Sequence, residues 1–161
     1  MKPAARTTDA TAHGMPLVPG PGAPQVLIGY MPAWRGVLSP AAAALTAAKT
    51  ASAATIKAAA AASNAAKGTP AAPAAIAAEE TTKATAAATM GAMITSMAAG
   101  ADVSICPMPL PIPPHGPGVV LDGSTKVLVN SLPLARMGDE ILEAVGPPNK
   151  VVAGCATVLV G

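Results

Sequence analysis

The chain has 161 residues and a formal net charge of +2; it is 52% hydrophobic, yet holds no Phe, one Trp and one Tyr. Much of its apolar content is Ala, which buries little, whereas a large aromatic removes roughly 150–250 Å² from water. An aromatic-rich core is therefore excluded, and a metal, a disulfide or a partner is needed to hold such a chain together.

The opening segment "MKPAARTTDATAHG" lacks the apolar run of about 7–15 residues that marks a secretory signal. It predicts a protein made in the cytoplasm and left unprocessed, where the two cysteines are reduced thiols or metal ligands rather than a disulfide. No basic run and no aromatic platform is present, so nucleic acid is excluded as a partner. Next, "APQVLIGYMPAWRG" reads as a short β-branched strand, a tight turn at Gly29-Tyr30 and a return through Pro32-Ala33-Trp34-Arg35.

Composition shifts near Ser39 and again near Ala101, so residues 39–100 form a separate inserted element. Ala is the strongest helix former, and "SPAAAALTAAKTASAATIKAAAAASNAAKG" predicts one helix, with Ser39 as N-cap, Pro40 at the first helical position and Gly68 as the stop. A second helix is predicted from about Pro73 to Ala99, ending at Gly100, with Met90, Met93, Ile94 and Met97 on one stripe. The pair reads as an antiparallel helical hairpin on the order of 40 Å long. Two roles stand open for it: a spacer, or an Ala and Met face that docks a partner. Lys49, Lys57, Lys67, Glu79, Glu80 and Lys83 interrupt its apolar tracts, which argues against stable membrane insertion.

Residues 101–161 return to the style of residues 1–38. Aligning Gly22 with Gly123 and Gly154 superposes Val26, Ile28 and Gly29 on Val127, Val129 and Asn130, and on Val158, Val160 and Gly161. Pro32, Ala33, Trp34 and Arg35 likewise match Pro133, Leu134, Ala135 and Arg136, and Pro3, Ala4, Ala5 and Arg6. Three strand–turn–return units share one template, and the chain enters halfway through one unit and leaves halfway through another. Such a permutation closes the units into a ring, a natural cap for a threefold partner. Asp9 and Asp139 follow their arginines at matching positions and read as turn residues that cap backbone N–H groups or pair with Arg6 and Arg136. The run "CPMPLPIPPHG" reads as an extended, polyproline-like loop over the apex.

The chain holds two His and two Cys: His13, Cys106, His115 and Cys155. All lie outside the hairpin, and together they suffice for a closed tetrahedral Zn²⁺ site if the three units bring them to one apex. Cys155 aligns with Ala23 and Ser124 at a strand start, so it reads either as the fourth ligand or as a small buried thiol whose place water or another group takes. Glu140 and Glu143 in "GDEILEAVG" read as a solvated loop or strand edge. No nucleophile elbow, P-loop or dinucleotide fingerprint appears, so no catalytic residue is assigned.

With "PAARTTDATAHG", "VLIGYMPAWRG", "SICP", "HGPGVVLDGSTKVLVNSLPLARMGD" and "GPPNKVVAGCATVLVG" in hand, the sequence resembles the PAAR-repeat family. These small proteins sharpen the spike of type VI secretion systems and related contractile injection machines. The resemblance covers residues 1–38 and 101–161 and leaves 39–100 as an insertion. It implies a mainly β, conical, pseudo-threefold fold of β-hairpins carrying an Ala-rich antiparallel helical hairpin. It further implies a seat on a trimeric VgrG-like spike, one tip per trimer, and a structural Zn²⁺ near the point. His13, Cys106 and His115 match ligand positions. After Asp139, where many members have a Cys, this chain reads "EILEAVG", and Cys155 is the expected replacement. The expected function is a structural tip, cytoplasmic before firing and delivered to the target cell on contraction. An effector would be a separate polypeptide docked on the hairpin, since the repeat strand closes the chain without a toxin domain. The competing reading from the enzyme class is a small zinc hydrolase with an open metal position beside Glu143 or Glu140.

Overall fold

The computed structural model describes residues 1–109 and 114–161. In chain order the elements are β1 (Lys2–Ala4), β2 (Ala23–Ile28), β3 (Met31–Ala33), α1 (Ser39–Ala65), α2 (Ala72–Met97), β4 (Val103–Pro109) and β5 (Pro114–Val120). They continue with β6 (Leu128–Val129), β7 (Leu132–Pro133), β8 (Glu140–Glu143), β9 (Asn149–Lys150) and β10 (Cys155–Val160). Helices make up 34% and strands 32%, so the molecule is mixed, not mainly β as expected. The two helices are long and the strands short, which is why two inserted helices weigh as much as all the described strands around them.

The repeated template survives in three dimensions. In the β2–β3 hairpin Ile28 pairs with Met31, and the reversal uses Gly29 and Tyr30 at φ 55° and 67°. In the β6–β7 hairpin Val129 pairs with Leu132 through Asn130 and Ser131 at φ 51° and 65°. Two successive positive φ values match the strand twist that a two-residue reversal requires. The third hairpin is assembled from distant segments: β1 pairs antiparallel with β10, Lys2 opposite Val160 and Pro3 opposite Leu159.

Between the hairpins the backbone bonds run in a circle. The Ala5 N–H donates to Ala135 C=O at 2.8 Å, Ala135 N–H to Trp34 C=O at 2.9 Å, and Trp34 N–H to Ala5 C=O at 3.0 Å. A second circle links Thr7 N–H to Pro32 C=O, Gly36 N–H to Pro133 C=O and Met137 N–H to Pro3 C=O, at 2.8–2.9 Å. Each donor and acceptor occupies the same place in its unit, so the three units are bonded one to the next in a closed ring. Ala5, Trp34 and Ala135 meet in one buried cluster with Leu17, Val120, Ile141 and Val151. Trp34 is the one bulky member of its equivalent set, filling space that two alanines leave.

The Arg–Asp turns also recur. The Asp9 carboxylate accepts from the Arg6 N–H and guanidinium, each at 2.8 Å, and Asp139 does the same for Arg136 at 2.8 and 3.1 Å. "WRGVL" lacks this Asp locally, and Asp102, beyond the insertion, takes its place. It accepts from Arg35 N–H at 2.8 Å and from the guanidinium at 2.9 Å through both oxygens. The hairpin is thus spliced into the middle of one Arg–Asp turn, which closes across it.

Strands β4, β5, β8 and β9 form a four-stranded antiparallel sheet in that order. The expected polyproline-like run overlaps β4, but Leu110 and Ile112 fall in 110–113, outside the described residues. Helix α1 begins one residue earlier than a Ser39 cap implies: Leu38 is the extended residue before it and Pro40 lies in the first turn. Just before the helix, Val37 N–H donates to Val120 C=O at 2.9 Å and ties the chain to β5. Helix α2 stops at Met97, and Ala99 and Gly100 at φ 48° and 91° turn the chain back toward Asp102.

The predicted stripe on α2 faces the β portion. Met90 and Ile94 are buried with Leu45, Val37, Val119, Leu132, Leu142 and Ala144, and Met93 and Met97 pack on the margin. Farther out, Ser63 is the one other buried residue of α1, so the hairpin has a docked root and an exposed outer half. Among the described residues no helix is long and apolar enough to cross a membrane.

Candidate metal centre

Four side chains converge where a loop meets the four-stranded sheet. His13 lies in a turn closed by Gly14 at φ 78°, whose N–H donates to Thr11 C=O at 2.9 Å. Cys106 sits on β4 opposite Gly116 of β5, His115 near the start of β5, and Glu143 at the end of β8. Their ligand atoms all lie within 4.8 Å of one another.

His115 Nδ1 is 2.6 Å and His13 Nδ1 3.1 Å from Glu143 Oε2, and the two nitrogens are 3.2 Å apart. Cys106 Sγ is 3.7 Å from His13 Nδ1 and 3.8 Å from His115 Nδ1. A tetrahedral ion with bonds of roughly 2.0–2.1 Å to N and O and 2.3 Å to S would set these edges at about 3.3 Å between nitrogens and about 3.6 Å between nitrogen and sulfur. The nitrogen–nitrogen and nitrogen–sulfur edges are close to that size, and the His115–Glu143 edge at 2.6 Å is shorter. Cys106, His115 and Glu143 are buried and His13 is nearly so. Burial pushes the Cys106 thiol above its ordinary value, and the charge on Glu143 adds to the effect. A cation reverses that balance, since a coordinated thiol is deprotonated outright. The chemistry of the donor set, two imidazole nitrogens, a sulfur and a carboxylate oxygen gathered in a buried space, fits a metal ion.

Neighbouring groups hold the donors in place. Asn149 on β9 donates from Nδ2 to Glu143 Oε1 at 2.6 Å, and its Oδ1 accepts from the His13 N–H at 3.1 Å. Gly146, at φ +88°, lies flat against His115; a Cβ there would sit 2.6 Å from the ring. Lys49 of α1 donates to the Glu143 C=O at 2.8 Å, and burial pulls its ammonium down to about 8.

Of the four expected ligands, the structure brings His13, Cys106 and His115 together and leaves Cys155 out. Cys155 opens β10 inside a different apolar cluster, with Ala4, Ala23, Ile28, Ala33, Val129, Leu134 and Val160. Its Sγ lies 3.2 Å from Thr157 Oγ1. Threefold equivalence explains the correction: Cys155 fills the small buried place that Ala23 and Ser124 fill in the other units, while the ligands come from loop and sheet. Glu143, expected at a solvated edge, is 2% exposed and takes the fourth position. A signal for it existed, because it falls in the segment where the resemblance places a Cys, and a carboxylate is also a metal ligand.

Two clefts border the helical hairpin. One of about 110 Å³, between α1 and the β8–β9 turn, is lined by Lys49, Glu140 and Glu143 together with Thr46, Thr50 and Pro147. The other, about 500 Å³, runs between the helices and is lined by Ala, Thr and Met side chains. Neither is lined by His13, Cys106 or His115. Compared with known protein families, with curated proteins and with solved structures, the chain matches none.

Proposed function

We propose that the protein is a structural tip that caps and sharpens a trimeric VgrG-like spike of a type VI secretion or related contractile injection system. The observation that carries this reading is the closed ring of three equivalent units in one chain, which we read as an approximate threefold axis, with apolar side chains exposed at equivalent places. Leu27, Leu128 and Leu159 precede the buried Ile28, Val129 and Val160 in their strands and are 58%, 57% and 51% exposed. A repeated apolar position around a threefold axis is a footprint for a partner with the same symmetry. The three two-stranded hairpins also offer backbone edges that a β-helical partner can extend.

The ion is zinc, held by His13, Cys106, His115 and Glu143 in a closed set with no position reserved for substrate. Its role is mechanical, because a narrow tip has too little interior to hold loops by burial. The outer half of the helical hairpin is the place for a separate effector. The protein works in the cytoplasm before firing and is carried out on the spike.

Mixing the purified protein with a trimeric VgrG-like spike checks the assignment: one copy per trimer is expected by size-exclusion chromatography with light scattering. The triple variant Leu27→Asp, Leu128→Asp, Leu159→Asp is expected to fold, keep its metal and lose the trimer. Failure of the wild type to join the trimer, or unaltered binding by the triple variant, overturns the reading.

A further inference from the structure

The geometry points to Asn149 as a positioning residue that makes Glu143 a one-oxygen ligand and ties the His13 loop to the same anchor. The inference rests on the metal reading of the centre and adds to it the coordination mode and the group that sets it. A carboxylate can offer one oxygen or two to a cation, and nothing in Glu itself chooses. Here Oε1 is occupied by the Asn149 Nδ2 donor at 2.6 Å, while Oε2 faces His13 and His115. The amide oxygen of the same side chain accepts from the His13 N–H at 3.1 Å and from the Lys150 N–H at 2.8 Å. One buried amide, 2% exposed, therefore sets two ligands that are 130 residues apart in the chain. Its place on β9 is in turn given by the sheet, where Asn149 pairs with Ile141 two residues before Glu143. Partners of this kind, bonded to a ligand but not to the ion, fix ligand orientation and are worth roughly 10- to 100-fold in metal affinity.

Two variants separate orientation from folding. Asn149→Ala removes both contacts. Asn149→Asp keeps an oxygen for the His13 and Lys150 N–H groups but replaces the donor to Oε1 with an acceptor. Zinc affinity is read by competition with a chromophoric chelator, and geometry by the visible absorption of the Co²⁺-loaded protein. Both variants are expected to bind zinc roughly 10- to 100-fold more weakly than wild type, with the tetrahedral cobalt bands weakened as Glu143 swings to two-oxygen contact. Should Asn149→Ala not fold, Asn149→Asp carries the test. Zinc binding by Asn149→Asp within about twofold of wild type, with an unchanged cobalt spectrum, overturns the inference and leaves the metal centre standing. A wild type that takes up neither metal overturns the metal centre itself.

Discussion

Asp102 shows how much a single side chain decides in a chain with so few large ones. It is fully buried, and it restores across an inserted hairpin the Arg–Asp turn that Asp9 and Asp139 make locally. Asp102→Ala leaves Arg35, itself largely buried, without its carboxylate partner. The expected loss is about 3–5 kcal/mol, read by urea unfolding, because removing one partner strands the other charge. A loss near zero means that the splice is held by something other than this turn. The same scale explains why Glu143 rather than Cys155 joins the centre: either residue type can be a ligand, and only position selects between them.

At the scale of elements, the helical hairpin is two things joined end to end. Its root is core, with Leu45, Met90 and Ile94 closed over Val119 and Leu142; its outer half shows mostly Ala, Thr and Lys to solvent. Ile94→Ala should therefore cost about 2–5 kcal/mol, whereas Ile76→Ala, at an exposed site, should stay within about 0.5 kcal/mol. Denaturant titration of the two variants side by side tests the division. Equal losses would mean that the outer half is also packed. Lys49 ties this root to the centre through the Glu143 carbonyl, so the insertion and the metal site share one strand.

For the molecule as a whole, the centre matters because its ligands come from four separate stretches on both sides of the insertion. An ion there closes long loops, and an ion bound only by the native state stabilises by mass action. Stripping the metal with a chelator is expected to lower Tm, and the midpoint of the holoprotein should rise with free zinc. A Tm insensitive to chelator and zinc alike would exclude the ion as a staple. The ring of hairpins is held differently, by backbone bonds that pass from each unit to the next, and it should outlast the metal as residual strand signal in circular dichroism.

How much of this was readable in advance follows from the range of each interaction. Hairpin reversals at Gly29-Tyr30 and Asn130-Ser131 and the helix stripe depend on neighbours in sequence, so local chemistry was enough to place them, while the third unit, split between the two chain ends, was visible only through the repeat. Three of the four centre residues were legible because His and Cys are rare here. Glu143 was marked only by falling in the segment where the resemblance places a Cys; by its local chemistry a carboxylate two residues from Ile141 looks solvated until β9 and the His13 loop fold over it. The amino-acid order by itself determined the two helices, the hairpin template with its repeat and most of the donor chemistry, but not the four-stranded sheet that carries the centre. Tertiary structure alone decided which buried group completes the centre, which Asp crosses the insertion and which helix half is core, because each depends on contacts between segments far apart along the chain.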